Sequence, residues 1–139
     1  MIKIFQYNNA NGNVELNTPE IILITEFKEL MNDERNICEE DKEGKYKLRA
    51  FREFTYIYLA LDWQSPYADF SEQERHQLSL NDAKMTEEEF NNPEFRAACR
   101  KFKQLQESVR SIRLLKAAQD TVDKFIDYFH NIDPEERDV

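Results

Sequence analysis

The sequence contains few residues that interrupt helices: glycine occurs only twice, at Gly12 and Gly44, and proline four times. A fold of many short strands needs turns rich in these residues, whereas long helices exclude them. The shortage therefore favours long helices. Cysteine is also scarce, and because Cys38 and Cys99 form no Cys-x-x-Cys pair, we interpret both as small apolar residues in a reducing compartment.

Long apolar runs are missing as well. The longest are Ile21–Ile24 and Tyr56–Leu61, which are too short to cross a bilayer. The segment Met1–Tyr7 lacks the apolar stretch of a signal peptide, so we expect no membrane partner. The 139 residues, 40% of them hydrophobic, are enough for one domain with a modest core.

Charge is strongly biased, with a formal net charge of -9. Because phosphate binding requires a cationic face, direct contact with nucleic acid is not expected. The charges are also segregated: Asp69–Phe90 contains seven acids and two bases, whereas Glu94–Lys116 contains seven bases and two acids. This pattern predicts either a docking surface with complementary charge or a solvated helix face neutralised by the acidic segment.

Local patterns predict a mainly α-helical bundle with a small N-terminal β-hairpin. The turn Asn11-Gly12 between two short runs indicates the hairpin. Thr18-Pro19-Glu20 predicts the start of a helix that ends near Asn32. A further element, from about Lys45 to Asp62, has helical spacing of its apolar residues, with a buried strand as the alternative.

The second half of the chain contains clear helix boundaries. Pro66 ends the preceding element, and Ser71–Glu74 and Thr86–Glu89 have the capping-box pattern. Asn92-Pro93-Glu94 begins a long helix that continues to about Asn131. We therefore predict a single domain 1–139, composed of a hairpin arm 1–17, a helical body 18–131 and an acidic tail 132–139.

The long helix carries two apolar stripes that are offset by a third to half a turn, more than the drift of about 20° per seven residues in a heptad seam. The offset predicts a bend or break near residues 108–113, or two halves that face different partners. One curved helix around a single core and a second stripe that contacts another subunit both remain open. The first stripe comprises Phe95, Ala98, Phe102, Leu105, Val109 and Ile112, and the second Leu115, Ala118, Val122, Phe125, Ile126 and Phe129.

Candidate interface residues fall into two groups. The basic group lies opposite the first stripe and comprises Arg96, Arg100, Lys103 and Arg110. The aromatic group surrounds Pro66 and comprises Trp63, Tyr67 and Phe70. Aromatic residues of this kind either close the end of a helical core or anchor a partner.

Residues for chemistry are sparse. His76 and His130 are the only histidines, and the acid-x-x-His spacing of a di-metal bundle occurs once, at Asp127–His130. We expect His76 to lie at the surface and His130 to act as a cation near the helix C-terminus. The sequence predicts no catalytic, cofactor-binding or metal-binding residues, and therefore a protein that is not an enzyme.

Several segments resemble virion structural proteins of tailed bacteriophages, particularly crAss-like phages of gut Bacteroides. The resemblance extends over roughly residues 50 to 132. It is carried by Tyr56-Ile57-Tyr58-Leu59, Asp62-Trp63-Gln64-Ser65-Pro66-Tyr67, Glu72-Gln73-Glu74-Arg75, Asn92-Pro93-Glu94-Phe95, Ser111-Ile112-Arg113-Leu114-Leu115-Lys116-Ala117-Ala118 and Asp127-Tyr128-Phe129.

This resemblance implies a virion component assembled in the host bacterial cytoplasm. The expected function is a ring or adaptor in the portal-neck-tail region, which binds copies of itself and portal or tail proteins. Segregated charge and a two-faced helix suit contacts that close into a ring, and the hairpin is suited to strand addition to a neighbouring sheet. The alternative is a small acidic phage-encoded regulator that binds a host protein.

Overall fold

The structure is a computed structural model that describes residues 5–8, 13–16 and 18–131. It confirms the mainly helical architecture and the long C-terminal helix. Strands β1 (Phe5–Asn8) and β2 (Asn13–Leu16) pair antiparallel, while the predicted turn at Asn11-Gly12 lies outside the described residues. The described helices are α1 (Thr18–Ile21), α2 (Thr25–Leu30), α3 (Leu48–Leu61), α4 (Glu72–Ala83), α5 (Glu87–Phe90) and α6 (Pro93–Asn131).

The first predicted helix is two short helices, α1 and α2, so the prediction of one helix to about Asn32 is wrong. Ile24 adopts an extended conformation, with φ -110° and ψ 119°, which separates them. Ile21 is fully buried and Ile24 is 8% exposed, so core residues lie on both sides of the break. Periodicity alone could not show this, because the residues are compatible with one amphipathic helix.

Helix α3 is the centre of the described fold. Every residue from Glu53 to Leu59 is buried, which confirms the predicted buried helix and excludes the strand alternative. Phe54 packs edge-to-face against Phe27 of α2, with ring centroids 5.7 Å apart. Each fully buried aromatic or aliphatic side chain contributes about 1.5–3 kcal/mol of transfer free energy.

Both ends of α3 are capped by side chains from distant segments. At the N-terminus, Asn36 accepts a hydrogen bond from the backbone N–H of Ala50 at 2.8 Å. At the C-terminus, Arg75 donates to the carbonyl oxygens of Leu59 at 2.9 Å and Asp62 at 2.5 Å. These bonds satisfy backbone groups that a buried helix end would otherwise leave unpaired. Helix α3 begins at Leu48, later than the predicted start near Lys45, because the backbone of Lys47 is left-handed, with φ 56° and ψ 39°.

The later helices are capped by side chains that lie close to the capped residues in sequence. Thr86 and Glu89 form a reciprocal capping box at α5, and the Asn92 side chain accepts from the N–H of Phe95 at 3.0 Å at the start of α6. Ser71 accepts from the N–H of Glu74 at α4. These predicted starts are confirmed.

The chain divides into two units, Met1–Gln104 and Leu105–Val139. In the first unit, the core is formed by side chains of α1, α2, α3, α4 and the beginning of α6. The second unit consists, in its described residues, of helix alone, and α6 is unbroken through residues 108–113. A break at that point is therefore excluded.

Candidate protein interface on the C-terminal helix

The beginning of α6 belongs to the core of the first unit. Phe95 and Ala98 are fully buried and Phe102 is 5% exposed. The Phe95 ring lies 5.5 Å from that of Tyr56 in α3. The N-terminal part of the first predicted stripe therefore packs inside the protein.

The C-terminal part of α6 is different, because every residue from Ser111 to Asn131 is exposed. Among them are large apolar side chains, which usually lie inside a folded protein. Ile112 belongs with these exposed residues, although the sequence pattern placed it in the first stripe. We define the α6 apolar face as Ile112, Leu115, Ala118, Val122, Phe125, Ile126 and Phe129, whose six large members are 47% to 61% exposed.

The α6 apolar face is one stripe with a single polar residue, Gln119, within it. At 100° per residue, its seven members fall within an arc of about 140°. Such an arc is the width with which a helix normally packs on a protein core. Contiguous exposed apolar surface of this kind marks an interaction site. The α6 apolar face is therefore the strongest candidate functional site among the described residues.

The charges of this part of α6 lie beside and behind its apolar face. Three bases, Arg113, Lys116 and Lys124, and three acids, Asp120, Asp123 and Asp127, are all exposed. Their sum is zero, which differs from the strongly basic polar face of a helix that lies on a membrane. Lys116 and Asp123 are the two closest to the apolar stripe by angle.

The structure places all four predicted basic residues on the exposed surface of α6, within an arc of about 80°. The Arg96 guanidinium lies 4.4 Å from the centroid of the Phe90 ring, so part of this basic row is occupied by a cation–π contact with α5. Arg100, Lys103 and Arg110 continue the row. In the first unit, Arg96 thus lies beside the acidic α5, and Arg100 and Lys103 are exposed on α6.

The predicted aromatic group is only partly brought together. Tyr67 and Phe70 stack, with ring centroids 5.6 Å apart and an interplanar angle of 17°, and the Tyr67 hydroxyl donates to Asp82. Trp63 is 44% exposed and Phe70 is 45% exposed. Trp63 and Phe70 are thus exposed rather than buried in the core.

One polar arrangement was missed by the sequence. The Tyr56 hydroxyl lies 2.6 Å from Nδ1 of His76, and Nε2 of His76 lies 3.2 Å from Glu87. His76 is half-buried and packs against Phe90, with ring centroids 4.5 Å apart, so its predicted surface position is wrong. No local motif signals the arrangement, because its residues come from α3, α4 and α5.

The Tyr56–His76–Glu87 contacts join α3, α4 and α5. Tyr56 is 4% exposed, and burial raises the pKa of its hydroxyl above the ordinary value.

Among the residues that the structure describes, no group of three or more His, Cys, Asp or Glu side chains is arranged to hold a metal ion. No helix in this part of the chain is both long and apolar enough to span a membrane.

Comparison with known proteins adds no relative: no family model matches the chain, and no curated protein or solved structure shows significant similarity to it.

Proposed function

We propose that this protein is a non-enzymatic assembly protein that binds other protein chains through the α6 apolar face. The observation that carries the proposal is that every residue of Ser111–Asn131 is exposed and that this segment carries an apolar stripe. Isolated helices are marginal in water, and most helical stability in proteins comes from packing an apolar face. This part of α6 therefore gains stability when another chain covers it.

The setting of this function is the virion of a tailed bacteriophage. The resemblance of roughly residues 50 to 132 to virion structural proteins supports it. In this setting the protein forms a ring or adaptor in the portal-neck-tail region and binds copies of itself and portal or tail proteins. Its long exposed helix suits such a role, since adaptor proteins act by presenting contact surfaces.

The composition of purified phage particles tests this setting. Mass spectrometry should find the protein in particles at a stoichiometric level. A Val122→Asp variant should be lost from particles, because it puts a charge in the middle of the apolar face. The matched control is Ala117→Asp, which places the same charge on the opposite side of the same exposed helix.

Absence of the wild-type protein from particles would exclude the virion role. If the protein were also monomeric and bound a host protein, the result would favour the small acidic regulator instead. Equal incorporation of Val122→Asp and wild type would leave the virion role intact but exclude the α6 apolar face as its contact surface.

The basic row needs its own test, because it is also suited to a protein contact. The double variant Arg100→Glu/Lys103→Glu reverses two charges that are exposed on α6. If the row docks onto an acidic partner, particle incorporation should fall and should become less dependent on salt. Unchanged incorporation would show that the row is a solvated surface.

A further inference from the structure

We infer that the partner of the α6 apolar face is the same face of a second copy of this chain, with the two helices antiparallel. The inference rests on the proposed function and specifies its first contact. It is carried by three features of the described helix: the spacing of the apolar residues, the positions of the charges and the exposed apolar area.

The spacing fits a two-helix seam. Ile112, Leu115, Gln119, Val122, Ile126 and Phe129 are separated alternately by three and four residues, which is the pattern of the a and d positions of a heptad. Ala118 and Phe125 widen the seam on one side. Gln119 is the one polar residue in the seam.

One antiparallel register matches every seam position with another. When the two-fold axis passes between Asp120 and Thr121, Ile112 lies opposite Phe129 of the second copy. In the same register Leu115 lies opposite Ile126 of the second copy, and Gln119 lies opposite Val122 of the second copy. The small Ala118 falls near Phe125 of the second copy, so a large ring meets a small side chain.

The charges select this orientation over the parallel one. Lys116 and Asp123 flank the seam on the same side, and the antiparallel register brings each beside the opposite charge of the second copy. Two symmetric Lys116–Asp123 pairs result. Parallel, in-register helices would instead place like charges at the same level of the seam.

The exposed area is of the right size. The six large side chains of the face are 47% to 61% exposed, which leaves roughly 700 Å² of surface to bury in each copy. A standard interface buries about 800 Å² per partner. The face is therefore large enough to support a dimer.

The symmetry of this contact has a consequence for assembly. A two-fold contact uses the same patch on both copies and closes after two chains. The α6 apolar face alone thus produces pairs, and a ring would need a second surface. Arg100 and Lys103 are exposed on α6 and are not part of the seam, so they are candidates for that contact.

Sedimentation equilibrium of the full chain tests the pairing. The wild type should sediment as a dimer at micromolar concentration, and Val122→Asp should weaken dimerisation at least about 100-fold. Ala117→Asp should dimerise like wild type. Both substituted residues are exposed in the described helix, so circular dichroism should show that the first unit keeps its helices.

Charge reversal tests the orientation. Lys116→Glu and Asp123→Lys should each weaken the dimer about 3- to 10-fold at low salt, because each turns two attractive pairs into two repulsive ones. The double variant Lys116→Glu/Asp123→Lys restores opposite charges and should return to within about 2-fold of wild type. Lys124→Glu, which lies away from the seam, is the control.

Each outcome decides one point. A wild-type monomer at about 100 μM, or a dimer insensitive to Val122→Asp, would overturn the self-pairing. A double variant weaker than either single variant would overturn the antiparallel register. If particles require the face while the purified chain stays monomeric, this inference fails and the proposed assembly function stands.

Discussion

Arg35 and Glu53 form an ion pair in the interior of the first unit, with both guanidinium nitrogens Nη1 and Nη2 donating to the carboxylate. Their side chains are 8% and 1% exposed. Arg35 also donates from Nε to Glu94 at 2.6 Å and from Nη2 to Asn92 at 3.1 Å. One guanidinium thus connects the segment before α3, α3 itself and the start of α6.

Glu53→Gln should lower the free energy of unfolding by about 3 kcal/mol, because it leaves the buried guanidinium without its principal partner. Urea denaturation measures the loss. The control is Glu43→Gln, whose pair with Lys45 joins side chains that are 72% and 71% exposed; its effect should stay within about 0.5 kcal/mol. A similarly small effect of Glu53→Gln would show that the buried pair contributes little.

Gly44→Ala should destabilise the first unit by about 2 kcal/mol or more. Gly44 has φ +70°, and an added Cβ would lie 1.9 Å from the backbone oxygen of Asp33, so both strain and a clash oppose the substitution.

At Lys84 the opposite substitution should be favourable, because Lys84 ends α4 with a left-handed backbone, at φ 58°. Lys84→Gly should raise stability by about 0.5–1 kcal/mol. Thermal unfolding of both variants should shift in opposite directions.

Replacement by alanine should change the free energy of unfolding in opposite directions at two serines, Ser79 within α4 and Ser71 at its N-cap. Ser79 is fully buried, and its hydroxyl has no hydrogen-bond partner among the described residues; Ser79→Ala should therefore stabilise the protein by about 1 kcal/mol. Ser71 caps α4 by accepting from Glu74, so Ser71→Ala should cost about 1 kcal/mol. Chemical denaturation decides both, and a destabilised Ser79→Ala would mean that the hydroxyl is satisfied.

The two cysteines should differ in reactivity. Burial raises the pKa of the Cys99 thiol to about 12, and Cys99 is 8% exposed, whereas Cys38 is half-buried. At pH 8, a thiol reagent should label one cysteine rapidly in the native protein and both in urea. Native Cys38→Ser should then label slowly, and rapid labelling of that variant would contradict the buried position of Cys99.

The same burial links Cys99 to stability at high pH. Because the folded pKa lies above the unfolded value of about 8.5, the contribution of the protonated thiol is complete below that value and is lost as pH rises through about 12. The stability of wild type relative to Cys99→Ala should therefore fall between these limits. The comparison with Cys99→Ala is needed because Tyr56, whose pKa is also raised by burial, titrates in both proteins.

Features set by neighbouring residues were predictable. The side chains of Thr86 and Asn92 cap helices by hydrogen-bonding to residues three positions away. The sequence pattern therefore predicts these helix starts directly. The helical spacing of Phe54, Ile57 and Leu61 likewise favoured a helix over a strand in α3, and the structure decided between them. The α6 apolar face was visible as a stripe for the same reason.

Features that depend on distant residues were not predictable. The capping of α3 by Asn36 and Arg75, the ion pair of Arg35 with Glu53 and the contact of Tyr56 with His76 each join segments that the sequence separates. The division of the first helix into α1 and α2 was also not predictable, because no glycine or proline marks the extended residue Ile24.

The sequence by itself determined the helical class of this protein, the starts of its later helices and the existence of two apolar stripes on α6, because these follow from spacing and local hydrogen bonding. Only the tertiary structure decided which apolar stripe is buried in the core of the protein. Phe95, Ala98 and Phe102 are buried, whereas the residues from Ile112 to Phe129 are exposed. Periodicity identifies an apolar face, but burial requires a surface to cover it.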